Sequence, residues 1–257
     1  MKKILFYIAL IMIWELIYRL GVDVFKIWKA YVFPSPIRTL KAMYELILDK
    51  SIFIAIFYSL RRLFIAYAIS SIIGILLGFI IYRSGNLGTT LKSLILGLQS
   101  LPSLCWVPFA LLWFGLGEIA IIFIVIISSV FSIALSVSEA IENILPIYIK
   151  AAKTMGIKEY SLKKNGLFRK VILPAGLPTI FTGLKQGWAF AWRALVAGEM
   201  IASSEGLGHI LILGRDFQDI AKVAAIMISI IFIGLLLDKF LFSNIEKDIR
   251  AKWGFES

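Results

Sequence analysis

Residues 64–82, FIAYAISSIIGILLGFIIY, run for nineteen positions without a charged side chain. A helix of about 20 apolar residues crosses the hydrocarbon core of a bilayer, so this stretch reads as a transmembrane span. The rest of the chain matches it. Of 257 residues, 60% are hydrophobic and 17% charged, and the mean hydropathy is +0.90. An ordinary soluble domain is about 45–50% apolar and about 25% charged. A soluble chain could not hide this excess, which excludes disorder, a coiled coil and a soluble enzyme and leaves an integral membrane protein. Barrel strands alternate apolar and polar residues over about ten positions. Here the apolar runs are unbroken, so the spans are helices.

Upstream of this span lies a long connection, residues 21–60; Arg61 and Arg62 are counted with it or belong to the outer end of the span. Phe33-Pro34-Ser35-Pro36 breaks its backbone, and an amphipathic helix from Ile37 to Leu48 follows, with Leu40, Met43, Tyr44 and Ile47 on one side. Such a helix is expected in the membrane interface. A first span covers about Ile4 to Leu20, where Glu15 and Arg19 share a helical face and can pair. Lys2 and Lys3 ahead of it resemble the start of a signal peptide, but no small-residue cleavage site follows, so the run is retained as a span.

Downstream, Ser93 to Phe114 forms a third uncharged span, which Pro102 and Pro108 should kink or break. Gly115-Leu116-Gly117-Glu118 makes a tight turn into span 4, Ile119 to Ser138. Span 5 covers Leu177 to Ile201, residues 203–222 read as a glycine-containing loop, and span 6 covers Val223 to Phe242. The expected fold is an all-α membrane protein with six transmembrane helices in one domain, residues 1–257.

The net charge of +11 reports topology and lipid headgroups rather than nucleic acid in a chain of this class. With both termini cytoplasmic, fifteen Lys and Arg lie inside and nine outside, the bias expected of inner loops. The first outer connection runs against it, with Lys26, Lys29, Arg38, Lys41, Lys50, Arg61 and Arg62. A single cysteine, Cys105, forbids an internal disulfide, and with only one histidine, His209, a Cys/His zinc cluster is excluded. Cys105 reads as an apolar filler and His209 as a surface residue. Small residues recur every fourth position in three spans: Ala66, Ser70, Gly74 and Gly78; Ser128, Ser132, Ser136 and Ala140; Gly183, Gly187 and Ala191. In lipid, close backbone approach supplies much of the association between helices, so these stripes read first as packing faces within the chain. A dimer interface or a pathway wall is the alternative.

Residues 139–171 are polar and basic, carrying Lys150, Lys153, Lys158, Lys163, Lys164, Arg169 and Lys170. Lys150-Ala151-Ala152-Lys153-Thr154-Met155-Gly156 begins as a helix: the alanines favour it and admit a close neighbour, and Gly156 ends it. Val171-Ile172-Leu173-Pro174 returns the chain to the membrane, with Pro174 and Pro178 setting the angle. On the residues alone, this is a basic loop obeying the charge rule.

The segment also resembles the E-A-A-x-x-x-G signature of the membrane subunits of bacterial ABC importers, through Ala151, Ala152, Gly156, Leu173 and Pro174. The likeness extends from Phe33 to Phe242 and is similar to the nitrate/sulfonate/taurine sub-family. It is carried by Phe33-Pro34-Ser35-Pro36, Ser59-Leu60-Arg61-Arg62, Leu101-Pro102-Ser103-Leu104-Cys105-Trp106-Val107-Pro108, Trp113-Phe114-Gly115-Leu116-Gly117-Glu118, Ala191-Trp192 with Glu199, Gly206-Leu207-Gly208, and Gly234 with Asp238. The resemblance implies a type I ABC importer permease fold in which this segment is the coupling helix, seated in a groove of the ATPase. It implies separate ABC ATPase subunits carrying ATP and magnesium, an extracytoplasmic solute-binding protein, a second permease copy as a homodimer, and a multi-pass place in the prokaryotic inner membrane. Lys150 stands where the signature usually has Glu, and 14 residues separate Gly156 from Val171, several more than the pattern usually has. No G-x-x-x-x-G-K-[ST] phosphate loop occurs, so the chain itself is not expected to hydrolyse ATP and binds no cofactor.

Three charges lie in span 5. A charge at mid-bilayer costs at least about 2.5–3.5 kcal/mol, so such residues usually face protein or water. Lys185 can snorkel to the inner surface. Arg193 either borders the translocation path, favouring an anion, or forms a buried ion pair with another span. Glu199, six residues on, needs its own partner. Trp192, with Trp188 on the same face, is a candidate wall of the path. An intramembrane enzyme would need paired Asp, Ser with His, or zinc ligands, for which only His209 is available. A secondary transporter or channel would work without an ATPase, and the chain shows no inverted repeat of the kind many such folds use.

Overall fold

The computed structural model describes residues 2–29, 31–156, 166–202 and 204–252, and all regular structure among them is helical. The elements are α1 (Lys2–Tyr18, continued by a π-helical turn, Arg19–Val24), α2 (Pro36–Leu48), α3 (Ser51–Arg83), α4 (Gly85–Gln99), a 3-10 turn (Ser103–Trp106), α5 (Val107–Phe114), α6 (Glu118–Glu142), α7 (Pro146–Thr154), a π turn (Phe168–Ile172), α8 (Leu173–Ile201), α9 (Leu207–Asp216) and α10 (Ile220–Lys252). Four stretches are long and apolar enough to cross a membrane: Ile4–Val24, Ser51–Arg83, Glu118–Glu142 and Ile220–Lys247. The α4 and Ser103–Phe114 pair, bent by 96°, makes a fifth where the two are counted as one span, and the break expected at Pro102 falls between them. At 29 residues α8 is also long enough, but Lys185, Arg193 and Glu199 dilute its apolar character.

Local chemistry sets the boundaries. Ser35 caps α2, its Oγ accepting from the Arg38 amide at 3.3 Å, and Pro36 occupies the first helical position. Ahead of α3, the Asp49 carboxylate accepts from the Ser51 amide at 2.9 Å and hydroxyl at 2.6 Å. The hydroxyl bond, then the amide bond, hold the Asp49 carboxyl below the ordinary carboxylate range. With that start, α3 begins well before Phe64, and Arg61 and Arg62 fall inside the helix, the second of their two expected places. The expected loop 203–222 is likewise corrected: it contains α9, which begins after Gly206 because buried groups there satisfy its first amides.

The chain divides into two compact units. Unit 1 comprises Met1–Arg61 and Glu199–Leu235. Here the Trp14 indole donates to the Pro34 carbonyl at 3.0 Å, and Arg19 donates to Glu15 at 2.7 Å, the pair expected from their spacing.

Unit 2 comprises Arg62–Gly198 and Leu236–Ser257, and its centre is α6. The small-residue stripes of α3 and α8 both close on this helix. A Cβ added to Gly78 would lie 2.6 Å from the Val137 Cβ and 2.7 Å from the Ala134 carbonyl. One added to Gly183 would collide with Ser136. At these positions the stripes are packing faces within the chain. Ile81, Ile95, Phe131 and Leu135 bury the contact with α4, and Lys92 reaches Glu142 at 2.8 Å. Lys185, expected to snorkel, instead meets Glu246 at 3.0 Å and Asp238 at 3.7 Å, so α10 carboxylates satisfy it.

Candidate functional site

The break between α4 and α5 opens a cavity of about 270 Å³ within unit 2. Ser100, Leu101, Pro102 and Ser103 of the break line it, with Gln99 at the end of α4, Ser128 of α6, and Phe190 and Arg193 of α8. Irregular backbone at membrane depth is tolerated where it lines a cavity, because exposed amides and carbonyls find polar company there. Arg193 is exposed on this cavity. Its Nε donates to the Ala189 carbonyl at 3.0 Å, and the guanidinium sits 4.9 Å from the centre of the Phe190 ring. It forms no ion pair among the described residues, so the buried-pair alternative is not what the structure has. The result is a fixed positive charge with spare donors facing a small polar-rimmed space. Gln99 adds an amide whose Oε1 is enclosed without a partner among the described residues.

Glu199 lies elsewhere. It is 0% exposed, in unit 1. The Ser59 hydroxyl lies 2.8 Å from both carboxylate oxygens, and the Gly208 amide donates to Oε2 at 3.0 Å. The Leu207 amide donates to Ser59 Oγ at 2.9 Å. These are the first amides of α9, whose partial positive charge suits a carboxylate. Gly206 is needed beside them, since a Cβ there would strike the Glu199 carboxyl. Glu199 therefore anchors α9 and does not face the cavity.

The other path residues separate too. Trp192 is half-buried. Trp188 is enclosed by Phe64, Tyr67 and Phe242, so it belongs to the core of unit 2 and not to a path wall. Two further expectations change. Cys105 is exposed, because the 3-10 turn carries it outward. His209 is half-buried on α9 with Nδ1 enclosed, because its segment is a packed helix.

Reading the sequence also missed the ion pair between Arg62 and Glu118. Arg62, 2% exposed, donates to Glu118 through Nη2 at 2.8 Å and Nε at 3.2 Å. Both residues carry the family likeness. The available signal was a lone charge at the end of an apolar run on each side.

The coupling segment forms α7. Ala152 is buried and Ala151 exposed. Gly156 has φ +78 and open space around it, a left-handed turn suited to glycine. Ile147, Tyr148, Ala151 and Met155 share one face, all exposed, Met155 by 82%. Leu173 and Pro174 are half-buried at the start of α8. The lengthening after Gly156 falls mostly on residues 157–165, outside the described residues.

Comparison with known proteins gives these features a context. The chain is 30% identical over 217 residues to a nitrate import permease of Synechocystis sp., covering 81% of this chain and 77% of that one. It is 33% identical over 198 residues to a bicarbonate transport system permease of Synechococcus elongatus, covering 76% and 68%. Inward-facing MetNI methionine ABC transporter shares the fold, with a TM-score of 0.60 at 20% identity, over 74% of this chain and 92% of that one. Residues 70–250 match the family described as the inner membrane component of binding-protein-dependent transport systems. The chain belongs to this family of ABC transporter permeases.

Proposed function

We propose that two copies of this chain form the translocation path of an ATP-driven importer for a small oxyanion. Nitrate, bicarbonate and organic sulfonates such as taurine are the substrate class. An extracytoplasmic binding protein delivers the solute, and two ATPase subunits, holding ATP and magnesium, dock on α7. Their closure moves α7 through Ala151, Ala152 and Gly156, and Leu173 and Pro174 carry that movement into α8. The spans then open outward, and hydrolysis restores the inward-facing state.

The observation that carries the anion reading is Arg193: an exposed guanidinium with no carboxylate partner among the described residues, on a cavity made by a broken helix. A charge left in such a position must be neutralised by water or by ligand, and an oxyanion accepts from its fork of donors. Arg193 binds the passing anion, and the serines of the break flank it. The relatives that transport nitrate and bicarbonate support the same class. The test is uptake of labelled nitrate, bicarbonate and taurine into proteoliposomes holding the full complex with its binding protein. Arg193→Gln should reduce ATP-dependent uptake about tenfold or more, the loss of one charge-assisted contact, with the assembly intact on size exclusion. Unchanged uptake by the variant overturns the anion role of Arg193. Uptake without ATP by the chain alone overturns the importer reading.

A further inference from the structure

A second cavity, of about 360 Å³, lies wholly within unit 1. It is lined by Arg38, Lys41 and Glu45 of α2 and by Phe217, Gln218 and Asp219 between α9 and α10, with Tyr31 at its rim. Four of these groups are charged, two of each sign. We infer that this cavity binds the headgroup of a zwitterionic phospholipid that bears a primary ammonium, the phosphoethanolamine class.

Three observations lead there. First, the cavity lies at the membrane boundary: α10, a candidate span, begins at Ile220 on its wall, and α3, another, begins at Ser51, three residues after α2 ends. Secondly, α2 has three strips at its 100° per residue. Thr39, Ala42 and Leu46 are buried, Arg38, Lys41 and Glu45 face the cavity, and Ile37, Leu40, Tyr44 and Leu48 are exposed and apolar. Lys41 lies at the border of the polar and apolar strips. A ligand reaching both strips must be polar at one end and oily at the other, as a phospholipid is. Thirdly, Phe217 and Tyr31 are exposed aromatics beside the charges, which suits the headgroup level of a bilayer.

The charge pattern selects the headgroup. The phosphate accepts from Lys41 and Arg38, and the ammonium donates to Glu45 and Asp219. An anionic headgroup would leave the carboxylates facing negative charge, and a trimethylated ammonium could not donate to them. The site also accounts for two basic residues of the first outer connection, Arg38 and Lys41, which the topology rule leaves unexplained.

The test uses the complete importer, exchanged from mild detergent into vesicles holding equal parts phosphatidylethanolamine, phosphatidylglycerol and phosphatidylcholine with identical acyl chains. Native mass spectrometry then reads the lipids retained on the intact assembly. Phosphatidylethanolamine should be retained about fivefold over either competitor, the scale of one exposed ionic contact. Lys41→Gln with Glu45→Gln should return retention to the vesicle ratio, with the assembly mass unchanged. If that pair does not assemble, Lys41→Gln alone, a change at one exposed side chain, serves for the same comparison. Preference for phosphatidylglycerol, equal retention of ethanolamine and choline lipids, or retention at the vesicle ratio by the unaltered complex each overturns the proposal.

Discussion

At the scale of single residues, the charges near the end of α8 serve two different purposes. Arg193 is left open toward a cavity, whereas Glu199 is enclosed and fully engaged. The distinction predicts opposite phenotypes. Glu199→Ala would strand the Ser59 hydroxyl and the Gly208 amide, and each buried unsatisfied group costs about 1–3 kcal/mol. The variant should therefore assemble poorly, with a lowered Tm in detergent, while Arg193→Gln assembles normally and transports poorly. A stable Glu199→Ala complex would remove the anchoring role assigned here. Spacing along span 5 showed that the two residues point apart. The partners of Glu199 lay 140 positions away at Ser59 and in a segment read as loop, and pairing over such distances leaves no periodic trace in one sequence.

At the scale of helices, the four-residue spacing of small side chains was legible, because packing against a neighbour in lipid demands it. Which neighbour was not legible: α6 receives Gly78 of α3 and Gly183 of α8, an arrangement fixed only by tertiary structure. Gly78→Leu should overpack against Val137 and cost about 1–3 kcal/mol, seen as a fall in Tm of the purified complex. An unchanged Tm would mean that the α3–α6 contact is looser than the geometry states. The start of α3 was hidden for another reason. Two arginines in an apolar run look like a boundary, yet the helix continues through them, with Arg62 held by Glu118. On α7, the alanines and glycine of the signature were legible, but the exposure of Tyr148 and Met155 was not. Met155→Glu should leave folding intact, since the side chain touches little, and should break the link between ATP hydrolysis and uptake. Coupled transport unchanged in that variant would place the ATPase contact elsewhere.

At the scale of the whole molecule, one cavity settles a count that hydropathy leaves ambiguous. The headgroup cavity is shared by α2 and the turn between α9 and α10, so these two segments lie on the same side of the membrane. An even number of crossings must then separate them along the chain. With six transmembrane helices, α3, α6 and α8 supply three, and the bent α4–α5 pair has to be the fourth crossing rather than a re-entrant loop. α7 is separated from the α9–α10 turn by α8 alone, one crossing, which puts it on the opposite face, as the proposed ATPase contact requires. The side on which α7 lies can be checked with a membrane-impermeant thiol reagent on a Cys105→Ser background, because Cys105 is itself exposed. Phe217→Cys should label from outside intact spheroplasts, since that side chain is 79% exposed. Met155→Cys should label only in inverted vesicles. Labelling of both positions from one side would mean that α8 does not cross, and the assignment of α7 to the ATPase would fall with the topology that puts it there.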